Sequence, residues 1–368
     1  MAVFIIYLIF FTITYKYISL KRLIMKRNIK IIFTLILAII LLVFTLTACS
    51  NTKPTELTAE QKSFYSSWMS YIDGKTPINR IAILGSHDSG ISTTTSVIKG
   101  ITKTQDLTIG KQLEYGCRYF DIRVNKKKNG DLTIFHSIDT TGENFIDITK
   151  DILQFIKTNT TEFLVLDFQH FKGESQKAVI NVLNDSGIVD YAVKNTTNMS
   201  DLDFITSLKL EDVRGKFIII WGSNEANGNT YPYLFRRNND SCSIENACLD
   251  SLYSTEDNSK ASAKFIEETI PKYFNHILNK DKGLTVLQAQ LTSPSLGNVK
   301  KLEEGHNEGM SKYIRSIEKK AEYLTAVNII MRDFIGSDLE KTNSILHLNI
   351  AKNNVKIDCI SFFNKMTK

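Results

Sequence analysis

The segment "EFLVLDFQHF", residues 162–171, is apolar on both faces from Phe163 to Leu166 and turns polar at Asp167, Gln169 and His170. A short apolar run without alternation reads as a strand covered on both sides, the pattern of a parallel sheet packed under helices. The same form recurs in "RIAIL" (80–84), "RYFDIRV" (118–124), "LTIFHS" (132–137), "KFIIIWG" (216–222), "LTVLQAQL" (284–291), "AVNIIMRDFI" (326–335) and a closing run, "VKIDCISFF" (355–363). Between them, "DITKDILQFIKTN" (147–159) places Ile148, Ile152, Phe155 and Ile156 on one helical face, and further helical patterns precede Arg118 and follow Lys172. Strands alternating with helices in a chain of 368 residues predict an α/β fold, a single (β/α)8 barrel. An open doubly wound sheet is the alternative, and no Gly-rich phosphate loop supports it.

The strand ends carry the functional signal. His87 and Asp88 follow the first run, then come Asp121 and Arg123, His136, the trio Asp167, Gln169 and His170, Trp221, Gln288 and Gln290, and finally Asp333. Any one alone reads as a structural polar group or, for "HDSG" (87–90), a surface turn. In a barrel the whole set converges on one mouth, where active sites lie. Two histidines with carboxylates in reach suit proton transfer from one group and to another near neutral pH. An arginine among them suits a phosphate, which its planar fork binds bidentately. No Ser sits in a nucleophile elbow, and no Cys is placed as a nucleophile. The set describes phosphodiester cleavage by an internal hydroxyl.

In order, "LGSHDSG", "GCRYFDIRV", "IFHS", "FLVLDFQHF" and "NIIMRDF" resemble the catalytic X domain of phosphatidylinositol-specific phospholipase C, from about Trp68 to Phe334. The resemblance implies a distorted TIM barrel. It implies His87 as general base on the inositol 2-hydroxyl, oriented by Asp333, and His136 as general acid assisted by Asp88. Arg123 would bind the phosphate with Asp121 in support. The products would be diacylglycerol and inositol 1,2-cyclic phosphate. Arg123 stands where calcium-dependent members carry an acid, so no metal or other cofactor is expected. The bacterial enzymes hold inositol with Lys, Arg, Asp and Tyr, whereas this chain offers Asp167, Gln169, His170, Trp221, Gln288 and Gln290 as substrate-binding residues. Two other readings compete: a glycerophosphodiester phosphodiesterase, which needs a metal-binding Glu-x-Asp after the second strand, and a non-catalytic lipid-binding protein. The expected partners are phosphatidylinositol-type lipids and a membrane surface, with no protein partner.

The N-terminus concerns location. "MKRNIKIIFTLILAIILLVFTLTACS" (25–50) has a basic start, an apolar centre and Leu46-Thr47-Ala48-Cys49. This is a secretory signal whose end resembles the lipobox of bacterial lipoproteins, with Cys49 as the lipid anchor. A permanent membrane anchor is the alternative reading. Either way the protein is expected outside the cytoplasm, tethered or secreted. The apolar residues 1–24 are superfluous to a signal, which points to Met25 as the start, with an additional membrane segment as the alternative. The expected organisation is therefore 1–48 hydrophobic signal region, 49–62 polar tether and 63–368 catalytic barrel. All six basic residues of 1–48 are without acidic company there, and they account for the whole net charge of +6. The remainder is near neutral and indicates no nucleic-acid partner. Cys242 and Cys248 could pair in an oxidising compartment, Cys117 and Cys359 read as buried strand thiols, and no spacing resembles a zinc site. The polar interval 223–262 reads as a lid, a membrane-contacting loop or disorder.

Overall fold

The structure, a computed structural model, describes residues 53–94, 99–136, 140–222, 231–238, 247–278, 280, 282–293 and 297–368. The expected signal region 1–48, the anchor Cys49 and Cys242 lie outside the described residues. No described helix is long and apolar enough to cross a membrane.

Among the described residues, ten strands form one sheet. They are β1 (Ile83–Ser86), β2 (Tyr119–Lys126), β3 (Leu132–His136), β4 (Thr140–Asn144), β5 (Phe163–Lys172), β6 (Lys216–Trp221), β7 (Leu234–Arg236), β8 (Leu249–Ser251), β9 (Leu284–Gln288) and β10 (Ile329–Arg332). Eight of them run parallel in the order β7-β6-β5-β2-β1-β10-β9-β8. A bridge between Arg237 and Leu249 joins the two ends, so the expected barrel closes through its narrowest seam.

Period two along each strand divides the apolar residues between two cores. Ile83, Tyr119, Val165, Ile220, Leu249, Val286 and Ile329 fill the barrel, plugged from below by Phe64, Trp68 and Met69. Leu84, Phe120, Leu166, Ile219, Leu287 and Ile330 face outward onto helices, among them Phe145–Thr158, Ser175–Asp185 and Glu340–Ala351. The first of these helices buries Ile148, Ile152 and Ile156 as its spacing predicts. Beneath the barrel, the buried pair Arg118–Glu162 closes at 2.9 Å, and its remaining donors reach the carbonyls of Tyr65 and Leu113.

The structure corrects four expectations. "LTIFHS" is no barrel strand: β3 pairs antiparallel with β2 and with β4, forming a hairpin above β1. The interval 223–262 supplies β7 and β8, two barrel strands of only three residues each, too short for a periodicity to show. The closing run "VKIDCISFF" is a helical turn leading into the helix Ile360–Thr367, and Cys359 is partly exposed there. The helix Ala59–Ser66, capped reciprocally by Thr58 and Gln61 as their capping-box spacing predicts, shortens the expected tether 49–62. Thr55 is bonded to the barrel through Gly336 and Tyr115.

Candidate active site

The inward face of each strand continues into the mouth, two residues at a time. Ile83 and Gly85 on β1 lead to His87 just past its end, Tyr119, Asp121 and Arg123 follow one another on β2, and Ile329 and Met331 on β10 lead to Asp333 just past its end. Just past β1 the backbone folds back through Asp88, whose φ is 41°. Past β10 the same happens at Phe334, with φ of 48°. A non-glycine residue in this region costs about 1–3 kcal/mol, strain that clusters at sites where side chains must be held in place.

These turns assemble a charged constellation. His87 Nδ1 lies 2.8 Å from Asp333 Oδ1, and its Nε2 lies 3.3 Å from Asp88 Oδ2. The same Asp88 oxygen is 3.4 Å from His136 Nε2. Arg123 Nε is 2.8 Å from Asp88 Oδ1, while its Nη2 donates to Asp121 Oδ2 at 2.8 Å. Asp88 and Asp121 are buried completely, and Asp121 also accepts the Asp88 backbone N–H. Although Arg123 and two histidines ring Asp88, neither of its oxygens accepts a well-aligned hydrogen bond.

The tautomers follow from the partners. Asp333 accepts from His87, and the Thr102 carbonyl, an obligate acceptor, lies 3.2 Å from His136 Nδ1. Both histidines therefore carry hydrogen on Nδ1 and keep Nε2 as the nitrogen that exchanges protons. Burial opposes charge on His87, but the carboxylates of Asp88 and Asp333 outweigh it and hold the pKa at about 9. Burial would raise Asp88, yet Arg123, His136 and His87 hold it far below the usual carboxylate range. Asp333 is raised, burial prevailing over the His87 charge.

His136 reaches the mouth by an unexpected route. Its strand runs back toward the barrel from Leu132, and the hairpin is pressed against the "HDSG" loop. Glu143 N donates to Gly90 O at 2.9 Å, and the Glu143 carboxylate accepts from Ser92 Oγ at 2.7 Å and from Ile109 N. Burial pushes Glu143 up to about 7.

The headgroup residues divide. A cavity of about 350 Å³ is lined by His87, Arg123, His136 and Asp333 together with Gln169, His170 and Gln288. His170 faces it because β5 slips register against β2 between Ile122 and Arg123, a bulge that brings Gln169 and His170 to the mouth together. Partial burial and the Arg123 guanidinium hold His170 below its ordinary pKa.

Three expected contacts are corrected. Asp167 lies one layer down, wholly buried, accepting from Tyr119 Oη at 2.6 Å and Arg237 Nη1 at 3.0 Å. Burial lifts it to about 6 against the pull of Arg237. Trp221 has outward parity and packs on Phe168 and Phe171 in the helix-facing core. Gln290 is buried behind Gln288, to whose Oε1 it donates at 2.7 Å, while Gln288 Nε2 donates to Ser251 Oγ at 2.7 Å. The cavity also includes Thr102, Tyr253, Thr292 and Ser293, which sequence reasoning missed. Tyr253 continues the inward register of Leu249 and Ser251, a signal invisible until β8 was known to be a strand.

His87, Asp88 and Asp121 each offer one ligand atom, all within 4.8 Å of one another. Calcium takes six to eight oxygens. Here one donor is nitrogen, and Arg123 already spends its charge on both carboxylates. The donor set does not fit a calcium ion.

The PI-PLC X family model (PI-PLC X 1) matches residues 75–313. A 1-phosphatidylinositol phosphodiesterase of Listeria monocytogenes is 28% identical over 165 residues, 42% of this chain and 47% of that protein. The human PI-PLC X domain-containing protein 2 is 32% identical over 119 residues, 26% of this chain and 39% of its own. The chain thus spans less than half the length of these relatives. Among solved structures, the phosphatidylinositol-specific phospholipase C of Listeria monocytogenes superposes with a TM-score of 0.54 at 19% identity, covering 77% of this chain and 98% of the other. That of Staphylococcus aureus gives 0.58 at 16%, covering 78% and 98%. At these identities the superpositions establish the barrel fold.

Proposed function

The chain belongs to the PI-PLC X family, and from that membership we propose that it cleaves phosphatidylinositol, or a related inositol lipid, at a membrane surface. The observation that carries this reading is the buried Asp88 carboxylate, within 3.4 Å of Nε2 on both histidines and 2.8 Å from the Arg123 Nε. Base, acid and phosphate clamp are thereby held around one point.

In the proposed mechanism His87 Nε2 removes the proton of the inositol 2-hydroxyl. Only the unprotonated form of His87 takes this proton, a minor fraction at neutral pH because its pKa is held at about 9; in that form its strong proton affinity favours the transfer, and Asp333 holds the imidazolium that results. The freed oxygen attacks phosphorus while Arg123 stabilises charge on the phosphate oxygens. The bond from phosphorus to the diacylglycerol oxygen breaks, and His136 supplies the proton to that leaving oxygen. The products are diacylglycerol and inositol 1,2-cyclic phosphate. Because nucleophile and phosphate share one molecule, positioning supplies much of the rate.

The headgroup wall of Gln169, Gln288, Tyr253, Thr292 and Ser293 presents neutral donors and acceptors suited to hydroxyl groups. Arg123 supports a reaction without metal. The same proposal includes location: outside the cytoplasm, tethered by a lipid on Cys49 or secreted.

The test uses the chain from Ser50 onward with labelled phosphatidylinositol and phosphatidylcholine vesicles in excess chelator. Release of cyclic inositol phosphate from the first lipid alone is expected. Activity only after calcium is restored overturns the metal-free mechanism. No turnover with or without calcium overturns the catalytic reading in favour of a lipid-binding protein.

A further inference from the structure

Thr104 and Gln105 lie between the loop after β1, which carries His87 and Asp88, and the loop after β10, which carries Asp333 and Phe334. Gln105 is fully buried and absent from the cavity lining. Its Nε2 donates to His87 O at 2.9 Å and to Arg332 O at 3.3 Å, and its Oε1 accepts from Ile335 N at 2.9 Å. Thr104 Oγ1 donates to Asp88 O at 3.1 Å, and Phe334 N donates to Thr104 O at 2.8 Å. The left-handed residue of each of these two loops, Asp88 and Phe334, is thus bonded to one residue, Thr104.

We propose that Thr104–Gln105 is a latch that sets the geometry of His87 against Asp333, with Gln105 as a positioning residue for the reaction. The inference rests on the reading of His87 as general base. Three features carry it. Every hydrogen bond of the Gln105 side chain goes to main chain, so it fixes where the two loops run, independently of their side chains. One amide spans both loops, so the separation of base and orienting acid depends on its length. Strained backbone persists only where its surroundings over-determine it, and here the surroundings of both strained residues include the same dipeptide. Lys341 completes the arrangement by donating to Asp333 O at 2.7 Å.

The experiment compares the unaltered chain with Gln105→Met, which keeps the volume and removes the amide. Two quantities are read: kcat and KM on phosphatidylinositol vesicles, and the low-field proton resonance of His87 Nδ1–H in ligand-free protein. The latch predicts a fall in kcat of about 10²-fold with KM unchanged, since a displacement near 1 Å costs about that much. It also predicts loss or upfield movement of the resonance. An unmoved resonance, whether kcat falls or not, overturns the proposal. Should Gln105→Met fail to fold, Gln105→Asn keeps the amide but is one methylene short of both loops. The same signature is expected from it, and an unmoved resonance again overturns the latch. The resonance needs no turnover, so an unaltered chain that cleaves no inositol lipid defeats the functional reading while the latch is still decided.

Discussion

Gly90 closes the "HDSG" turn against β3, two residues before the proposed general acid His136. A β-carbon added there would lie 2.6 Å from Ile134 Cγ1, 3.1 Å from its Cβ and 3.2 Å from its Cγ2. Ordinary carbon contacts begin at about 3.5 Å. Ile134 is almost fully buried and β-branched, so it has no rotamer that clears all three contacts. The hairpin must therefore withdraw by about 0.9 Å to accommodate Gly90→Ala, a distance taken from the shortest of these contacts. That displacement moves His136 away from Asp88, which it meets at 3.4 Å. A shift of this size costs about 10²-fold in kcat, whereas overpacking at the edge of the mouth costs about 1–3 kcal/mol of stability. The assay is vesicle-based cyclic phosphate release, with urea unfolding on the same preparations. Adding Ile134→Ala removes both clashing branches and is expected to restore much of the lost kcat, a coupling measurable as a double-mutant cycle. A folded Gly90→Ala protein with kcat within about threefold of the unaltered chain would refute the claim that this contact positions the acid.

Three further outcomes follow from the same geometry. Arg123→Lys keeps one charge but cannot reproduce the two-pronged grip on Asp121 beside Asp88, and the lost charged hydrogen bond to Asp121, about 1.5–3 kcal/mol, lowers kcat/KM by about 10–10²-fold in steady-state assays. Glu143 is raised by burial to about 7, so the native state binds its proton more tightly than the unfolded chain does. The associated stability is full below pH about 4.5 and lost as pH rises through about 7, in all about 3 kcal/mol. Glu143→Gln is expected to flatten that slope when urea midpoints are compared at pH 5 and pH 8, and parallel curves would contradict it. Gly305 sits in the helix Val299–Ser316 with nothing within 4 Å of an added β-carbon. Gly305→Ala is expected to raise stability by about 0.5–1 kcal/mol in thermal unfolding and leave kcat unchanged.

The residues by themselves determined the barrel and most of the reacting groups. Apolar runs without alternation leave a strand no exposed face, and helices between them leave parallel pairing as the consistent arrangement. The polar residues at their ends could then only meet at one mouth, and the structure does bring His87, Asp88, Asp121, Arg123 and Asp333 together. What depended on tertiary structure was everything set by parity, register and short pairing. Trp221 faces the helices because it falls on the odd side of β6, and a single bulge in β5 turns His170 inward. Asp167 Oδ2 pairs with Arg237, seventy residues further on, a partner that no local pattern announces. The strands β7 and β8 are three residues long, so their place in the barrel, and with it Tyr253, comes from the neighbours that pair with them. His136 is the clearest case. Its type and position in the chain were legible, but it reaches the mouth on an antiparallel strand, and its imidazole stands where the packing of Gly90 against Ile134, the Thr102 carbonyl and Asp88 together place it.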